Sequence, residues 1–142
     1  MALYYDLPVY RDTYRLILKI FECTKDFSKE YKYSLWQDMK RDALQLVRSI
    51  YRANKSAQKK EHLEKFMDDF ELLKLEIRFS TDMKVMPVKK LAELSLLMGG
   101  IGKQITGWRM HPLNNAGIAA AKVAVSGRVL FKSDKGTVYY EQ

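Results

Sequence analysis

The chain has 142 residues, enough for one compact domain whose core needs no metal ion or disulfide to hold it together. Lysine and arginine outnumber aspartate and glutamate by 25 to 17, and the formal charge of +8 favours an anionic partner, either nucleic acid or an acidic protein surface. The single cysteine excludes a disulfide-stapled fold. No apolar run approaches the roughly 20 residues that span a bilayer, so we expect a cytoplasmic protein with no membrane partner.

Apolar residues recur every three or four positions in four segments, which is the spacing of amphipathic helices. Proline, serine and capping-type residues mark the ends of these segments. The sequence predicts helices from Pro8 to about Phe27, from Ser34 to about Asn54, from near Ser56 past Ile77, and from Pro87 to His111. Short connections between four such helices predict an all-α fold, an antiparallel up-down-up-down four-helix bundle over residues 1–110.

The first helix has an apolar stripe that we expect to face the core. Cys23 lies among apolar neighbours, which favours a small buried side chain over a reactive thiol. The inward stripe is predicted to consist of Tyr10, Thr13, Tyr14, Ile17, Phe21 and Thr24.

The second helix carries a basic stripe opposite its apolar face. On a 3.6-residue period, Arg41, Arg48, Arg52 and Lys55 share one narrow face with Gln45, and no acid occupies that face. A solvated face ordinarily mixes charges of both signs, and like charges four residues apart repel one another. The stripe therefore predicts an anion-binding surface.

The third and fourth helices have a second apolar face in addition to their core stripes. Leu72, Leu75 and Phe79 lie on the outer side of the third helix, and Leu96 and Gly99 on the outer side of the fourth. Small residues allow another backbone to approach closely. We expect these residues to form an oligomer interface, and cover by the C-terminal tail is the alternative.

After Pro112 the composition changes to Gly, Ala, Val and Asn, so residues 111–142 are predicted to form a separate, loose tail. Two short β-prone runs flank Ser-Asp-Lys-Gly, which favours a hairpin within residues 128–140. A lone hairpin is only marginally stable in water, so a tail without ordered structure is an equally simple alternative to the hairpin.

Catalytic signals are missing from the sequence. It contains no phosphate-binding glycine loop after a strand, no cluster of Cys and His, and no nucleophile elbow. A dimetal site in a bundle needs Glu-x-x-His pairs, but Lys59 precedes His62 and Trp108 precedes His111 by three residues. We therefore predict a protein without catalytic residues, metal ligands or cofactors.

Two tracts carry a resemblance to a known family. Residues 33–54, from Tyr-Ser-Leu-Trp-Gln-Asp to Arg-Ala-Asn, resemble the four-helix-bundle family first named for proteins encoded in intervening sequences of ribosomal RNA genes. Residues 66–79 and 101–108 resemble its Avd branch, the accessory variability determinant of diversity-generating retroelements. The generic branch usually has Asn-x-x-Glu-Gly at the end of the second helix, whereas this chain has Tyr-Arg-Ala-Asn-Lys at residues 51–55, a departure that favours Avd. The resemblance covers about residues 7–109.

The resemblance to Avd implies a pentameric, barrel-like assembly with a basic surface. Such a protein binds the retroelement reverse transcriptase and template RNA or an RNA/DNA hybrid, and supports error-prone cDNA synthesis in mutagenic retrohoming. It also implies basic contact residues late in the third helix and at the end of the fourth, where this chain has Lys74, Arg78 and Arg109. The competing hypothesis is a protein-binding scaffold of the ribosomal-RNA intervening-sequence type, which never touches nucleic acid.

Overall fold

The computed structural model describes residues 3–111, 129–132 and 138–140. A 3-10 turn at Tyr4–Asp6 precedes the first long helix, and a helical turn at Lys29–Tyr31 and a π-helical segment at Lys32–Trp36 lead into the second. The all-α class predicted for the bundle region is confirmed. Its four long helices are α1 Pro8–Thr24, α2 Gln37–Lys55, α3 Lys59–Asp82 and α4 Val88–Met110.

The four helices enclose one apolar core. α2 packs against α1 and α3, and α4 packs against the other sides of α1 and α3. The apolar residues that the 3.6-residue period places on the inward faces of α2 and α3 are all buried or partly buried: Met39, Ala43, Leu46, Val47 and Ile50 of α2, and Leu63, Phe66, Met67, Phe70, Leu73 and Ile77 of α3. Fully buried side chains include Met39, Leu46 and Ile50 of α2 and Leu63, Phe66, Phe70 and Leu73 of α3.

The predicted inward stripe of α1 is partly wrong. Tyr14 and Phe21 are exposed, whereas Leu16 and Ile20 are completely buried. The apolar face of α1 is therefore rotated toward the smaller aliphatic residues, which pack closely against α2 and α4. The two aromatic rings lie at its edges, where Tyr14 stacks on Tyr10 and Phe21 meets the Lys40 ammonium at 4.8 Å.

The sequence predicts some of the residues that begin and end the helices, but not all of them. Pro8 occupies the first turn of α1, where its missing N–H is not needed. Ser34 is not the N-cap of α2, because the helical path begins earlier and Ser34 lies inside the π-helical segment. At the end of α3 the backbone turns through Lys84 at φ 61°. The Lys84 and Val85 amides donate to the Thr81 and Ser80 carbonyls, which makes this a Schellman motif.

A buried lysine closes the end of α2. Lys59 is 9% exposed, and its Nζ donates to the carbonyl oxygens of Ala53, Asn54 and Ser56 at 2.9, 3.1 and 3.0 Å. These carbonyls have no amide partner in the next helical turn, because the chain leaves the helix at Ser56. The ammonium supplies three donors and complements the negative end of the helix dipole.

A pair of acids lies between α2 and α3. Asp42 of α2 is buried, Glu76 of α3 is partly buried, and the two carboxyl groups are hydrogen-bond neighbours. Asp42 Oδ2 and Glu76 Oε1 are buried, and no other described group donates a hydrogen bond to either oxygen, so a proton on one of the two carboxyl groups is the available donor. Burial, and then the hydrogen bond to Asp42, raise the pKa of Glu76 from 4.5 to about 8. In its protonated form Glu76 supplies the donor that these two neighbouring oxygens otherwise lack.

Two short strands follow the bundle in sequence. β1 Val129–Lys132 pairs antiparallel with β2 Val138–Tyr140, and the register is irregular between Val129 and Phe131. The predicted turn and the rest of the predicted loose tail lie outside the described residues. No helix in the described part of the chain is long and apolar enough to cross a membrane.

Candidate nucleic-acid interface

The basic face of α2 is most open at its C-terminal end. Arg48, Arg52 and Lys55 are exposed, and none of them forms an ion pair within residues 3–111. Lys55 Nζ donates to the hydroxyl of Tyr51 at 3.2 Å and lies 4.4 Å from the centre of that ring. Three cations without acidic partners therefore lie within two helical turns, which is the arrangement that attracts phosphate groups.

Arg41 does not belong to this open surface, which corrects the prediction of an acid-free stripe. Its guanidinium contacts the carboxylates of Asp38 at 3.3 Å and Asp42 at 3.2 Å. The hydrogen bond to Asp42 raises the pKa of Arg41. An anion at this position would compete with two acids, so the predicted basic stripe divides into an engaged N-terminal cation and three open C-terminal cations.

Two of the basic residues suggested by the family resemblance are paired with acids. Lys74 Nζ contacts Glu71 at 3.0 Å and lies 4.9 Å from the Phe70 ring centre, and Arg78 Nε contacts Asp82 at 3.5 Å. Arg109 differs, because it is exposed in the last turn of α4 and has no ion pair in the described bundle.

Contacts between helices place these cations at different ends of the bundle. The Ser80 hydroxyl donates to the Met39 sulfur at 3.5 Å, so the end of α3 lies beside the start of α2, on the side of Arg41 and Arg78. Gln104 donates to Asp12 at 2.6 Å, so the end of α4 lies beside the start of α1. Because Tyr4, just before α1, contacts Tyr51 near the end of α2, Arg109 is on the side of the open α2 cations and Arg78 is at the opposite end. Lys74 lies nearer the middle of α3.

A cluster of tyrosines adjoins the open cations. The Tyr4 ring meets the rings of Tyr5, Tyr10 and Tyr51 edge to face, with centroids 5.2 to 5.3 Å apart, and Tyr10 stacks on Tyr14 at 6.2 Å. Sequence analysis missed this cluster. The sequence does show two tyrosines side by side, Tyr4 and Tyr5, and a tyrosine, Tyr51, among the basic residues of α2. It does not show that these tyrosines meet, because that contact joins α2 to the start of the chain in the folded structure.

The predicted oligomer-interface residues are all on the surface. Leu72, Leu75 and Phe79 of α3 are 44%, 63% and 48% exposed, and Leu96 of α4 is 82% exposed. Gly99 is exposed, and a Cβ added there would meet no atom within 4 Å. A large part of each of these apolar side chains is left in solvent by the described residues, and three of them are neighbours on one face of α3, which is typical of an interaction surface.

Residues 3–111 and the two strands contain no group of three or more His, Cys, Asp and Glu side chains arranged to hold a metal ion.

A family model described as bAvd-like matches residues 9–111, well over half of the chain. The chain belongs to the bAvd-like family. The resemblance to Avd that the sequence analysis identified is thereby confirmed, and the matched region coincides closely with the four helices. A comparison with curated proteins finds no match.

Proposed function

We propose that this chain is a non-enzymatic accessory subunit of a diversity-generating retroelement that binds the reverse transcriptase and the template RNA or RNA/DNA hybrid in mutagenic retrohoming. Membership of the bAvd-like family supports the retroelement context. The observation that carries the RNA-binding part is the open cationic surface of Arg48, Arg52 and Lys55 at the end of α2. Contacts with phosphates would hold RNA without reading its bases.

The proposed bundle alternates in direction, up-down-up-down. Tyr4 near the start of α1 meets Tyr51 near the end of α2, and Phe21 near the end of α1 meets Lys40 near the start of α2. Lys19 contacts Glu93 at 3.1 Å while Asp12 contacts Gln104, which supports opposite directions for α1 and α4. In this arrangement the open cations lie at one end of the subunit.

The proposed assembly is a homo-oligomer, a pentamer by resemblance to Avd, formed through Leu72, Leu75, Phe79, Leu96 and Gly99. A ring would repeat the open cations, and several weak phosphate contacts would combine into strong binding. Light scattering of the purified chain measures this directly. Leu75→Glu is expected to reduce the particle mass to that of a monomer, because a buried interface does not tolerate an unpaired charge. The matched control is Leu18→Glu, since Leu18 is 54% exposed on α1. A monomeric wild-type chain would contradict the assembly.

RNA binding is tested with the double variant Arg48→Glu with Arg52→Glu, using fluorescence anisotropy of a labelled RNA in the absence of polymerase. We expect a loss of affinity of at least a hundredfold, because two attractive phosphate contacts become repulsive. The control is Lys29→Glu with Lys89→Glu, which makes the same change in charge at exposed positions in first helical turns, where acids are tolerated.

The outcomes of this experiment separate the two function classes. Binding that the control retains and the test variant loses supports the accessory subunit. A wild-type chain that binds polymerase but not RNA, with its affinity for polymerase reduced by the same Arg48 and Arg52 changes, supports the protein-binding scaffold instead.

A further inference from the structure

We propose that the tyrosine cluster formed by Tyr4, Tyr5, Tyr10, Tyr14 and Tyr51 is a stacking platform for unpaired bases, which makes this end of the bundle selective for single-stranded RNA over duplex. The inference rests on the proposed RNA-binding function and deepens it, because it names the form of RNA that the surface holds.

The platform has accessible ring surface. Tyr5 and Tyr14 are each 50% exposed and Tyr51 is 42% exposed, although each of them contacts another tyrosine. These exposures leave part of each peripheral ring in solvent, although the Lys55 ammonium lies over one face of Tyr51 and Tyr14 stacks on Tyr10. The inner members, Tyr4 and Tyr10, are partly buried and hold the cluster between α1 and α2.

The cations beside the platform are placed to hold the backbone of the same strand. Tyr51 lies three residues after Arg48, directly before Arg52 and four residues before Lys55, so all four share one side of α2. Lys55 contacts Tyr51 directly, by hydrogen bond and over its ring. A phosphate held by these cations therefore brings the attached base to the ring of Tyr51.

The acid nearest this surface on α1 is engaged within the bundle. Asp12 accepts a hydrogen bond from Gln104 at 2.6 Å and forms an ion pair with Arg15 at 3.2 Å. Its charge is thus partly compensated. Asp6, directly after Tyr5, forms no ion pair within residues 3–111, but Arg48, Arg52 and Lys55 outnumber these two acids, so the combined surface favours a polyanion.

Base stacking and phosphate contact predict different preferences. Phosphates are available in single strands and duplexes alike, so the open cations attract both. Flat base faces are available only where bases are unpaired, because a duplex hides them inside its own stack. A surface with both kinds of group therefore binds a single strand more tightly than a duplex of the same length, and tyrosine rings account for the difference.

The experiment compares a 20-nucleotide oligouridine with a 20-base-pair RNA duplex, by anisotropy at one salt concentration, for the full chain. In the test variant Tyr5, Tyr14 and Tyr51 are changed to leucine, which keeps apolar contact but removes the flat ring. We expect single-strand affinity to fall by about tenfold for each base that loses its ring, and duplex affinity to stay within twofold. The matching phenylalanine variant keeps the rings and is expected to restore single-strand binding.

Two controls separate folding from stacking. Tyr33→Leu changes a tyrosine that is 71% exposed and makes no ring contact with the cluster, and it is expected to have no effect. The thermal midpoint of each variant is measured by circular dichroism, and any variant that does not fold is replaced by the single change Tyr5→Leu. A single-stranded DNA of the same length shows whether the 2′-hydroxyl contributes.

The results also distinguish this inference from the function on which it rests. If leucine and wild-type proteins bind oligouridine equally while the change of Arg48 and Arg52 to glutamate abolishes binding, the platform is overturned and RNA binding stands. If both RNA forms lose affinity equally in the leucine variant, the tyrosines support the fold and not stacking. If the wild-type chain binds neither RNA, the proposed RNA-binding function itself fails.

Discussion

The two ends of α2 have similar basic composition but different surroundings. At its N-terminal end Arg41 lies between Asp38 and Asp42, and neighbouring Arg78 of α3 faces Asp82. At its C-terminal end Arg48 and Arg52 face solvent beside exposed tyrosines. The comparison teaches that a basic residue contributes to anion binding only when no acid lies within reach. Net charge therefore predicts an anionic class of partner, and the positions of the acids indicate which end of the bundle leaves its cations open.

The largest expected effect is a loss of stability on changing Lys59, the buried lysine that caps the C-terminal end of α2. Lys59→Met is expected to lower the free energy of unfolding by about 2 to 3 kcal/mol, because three carbonyl groups lose a buried charged donor. Urea unfolding measures the change. Lys60→Met, at the exposed next position, is the control and is expected to change stability by less than about 0.5 kcal/mol. Equal stability of the two variants would show that water replaces the ammonium and that the end of α2 is not held by Lys59.

The acid pair predicts that the other end of α2 is sensitive to pH. Because the pKa of Glu76 is raised in the folded state, its contribution to stability is complete below about pH 4.5 and is lost as the pH rises through about 8. We expect the free energy of unfolding to fall by about 2 kcal/mol between pH 5 and pH 9, after allowance for partial exposure.

The matched variant for this prediction is Glu76→Gln. The glutamine amide keeps a hydrogen-bond donor beside the Asp42 carboxyl group and does not titrate, so the difference in unfolding free energy between variant and wild type is expected to grow in favour of the variant as the pH rises. Asp38 and Arg41 are the other charged groups at the pair and are the same in both proteins. Parallel pH profiles would mean that Glu76 titrates normally.

A smaller effect distinguishes open from engaged cations without reversing any charge. Under the proposed function, Arg48→Gln with Arg52→Gln is expected to weaken binding of a single-stranded RNA about tenfold at low salt. It is also expected to reduce the slope of log affinity against log salt by about 1.4, since each lost phosphate contact removes about 0.7. Lys74→Gln with Arg78→Gln should leave the slope unchanged, because those cations are paired with Glu71 and Asp82. If the two double variants had the same salt slope, open and acid-paired cations would not differ in phosphate binding, and the contrast between the two ends of α2 would be wrong.

The smallest expected effect is a stabilisation. Lys84 adopts a left-handed conformation that favours glycine, so Lys84→Gly is expected to raise the free energy of unfolding by about 0.5 to 1 kcal/mol. Lys84 follows α3 at the end of the bundle that contains Arg41, and we expect RNA affinity to remain unchanged although one positive charge is lost. A decrease in stability would indicate that the lysine side chain makes a contact worth more than the backbone strain.

Much of the fold was predictable because helical periodicity is a local property. The stripes of α2 and α3 contain large aliphatic and aromatic residues at regular spacing, so Met39, Leu46, Phe66 and Phe70 could be placed in the core directly. The α1 stripe was less certain, because aliphatic and aromatic residues alternate around the helix. Which of these side chains faces the core depends on how they pack against α2 and α4. The sequence therefore placed Tyr14 in the core, although its side chain is exposed.

The candidate site was predictable only as a list of cations. Sequence spacing placed Arg41, Arg48 and Arg52 on one face, but it did not weigh Asp38 and Asp42, which lie three residues before and one residue after Arg41. Whether such neighbours meet depends on side-chain rotamers, which the spacing does not specify. The tyrosine cluster was missed for a different reason, since Tyr51 lies 37 to 47 residues after the other members along the chain.

The sequence by itself determined the all-α class, the existence of four amphipathic helices, the positive charge and the family, because each depends on residue types and their spacing. Only the tertiary structure decided which cations are open, which acids lie next to each other and which tyrosines meet. These properties depend on distances between helices. The contact between Tyr4 and Tyr51 and that between Asp42 and Glu76 exist because α2 packs against α1 on one side and α3 on the other.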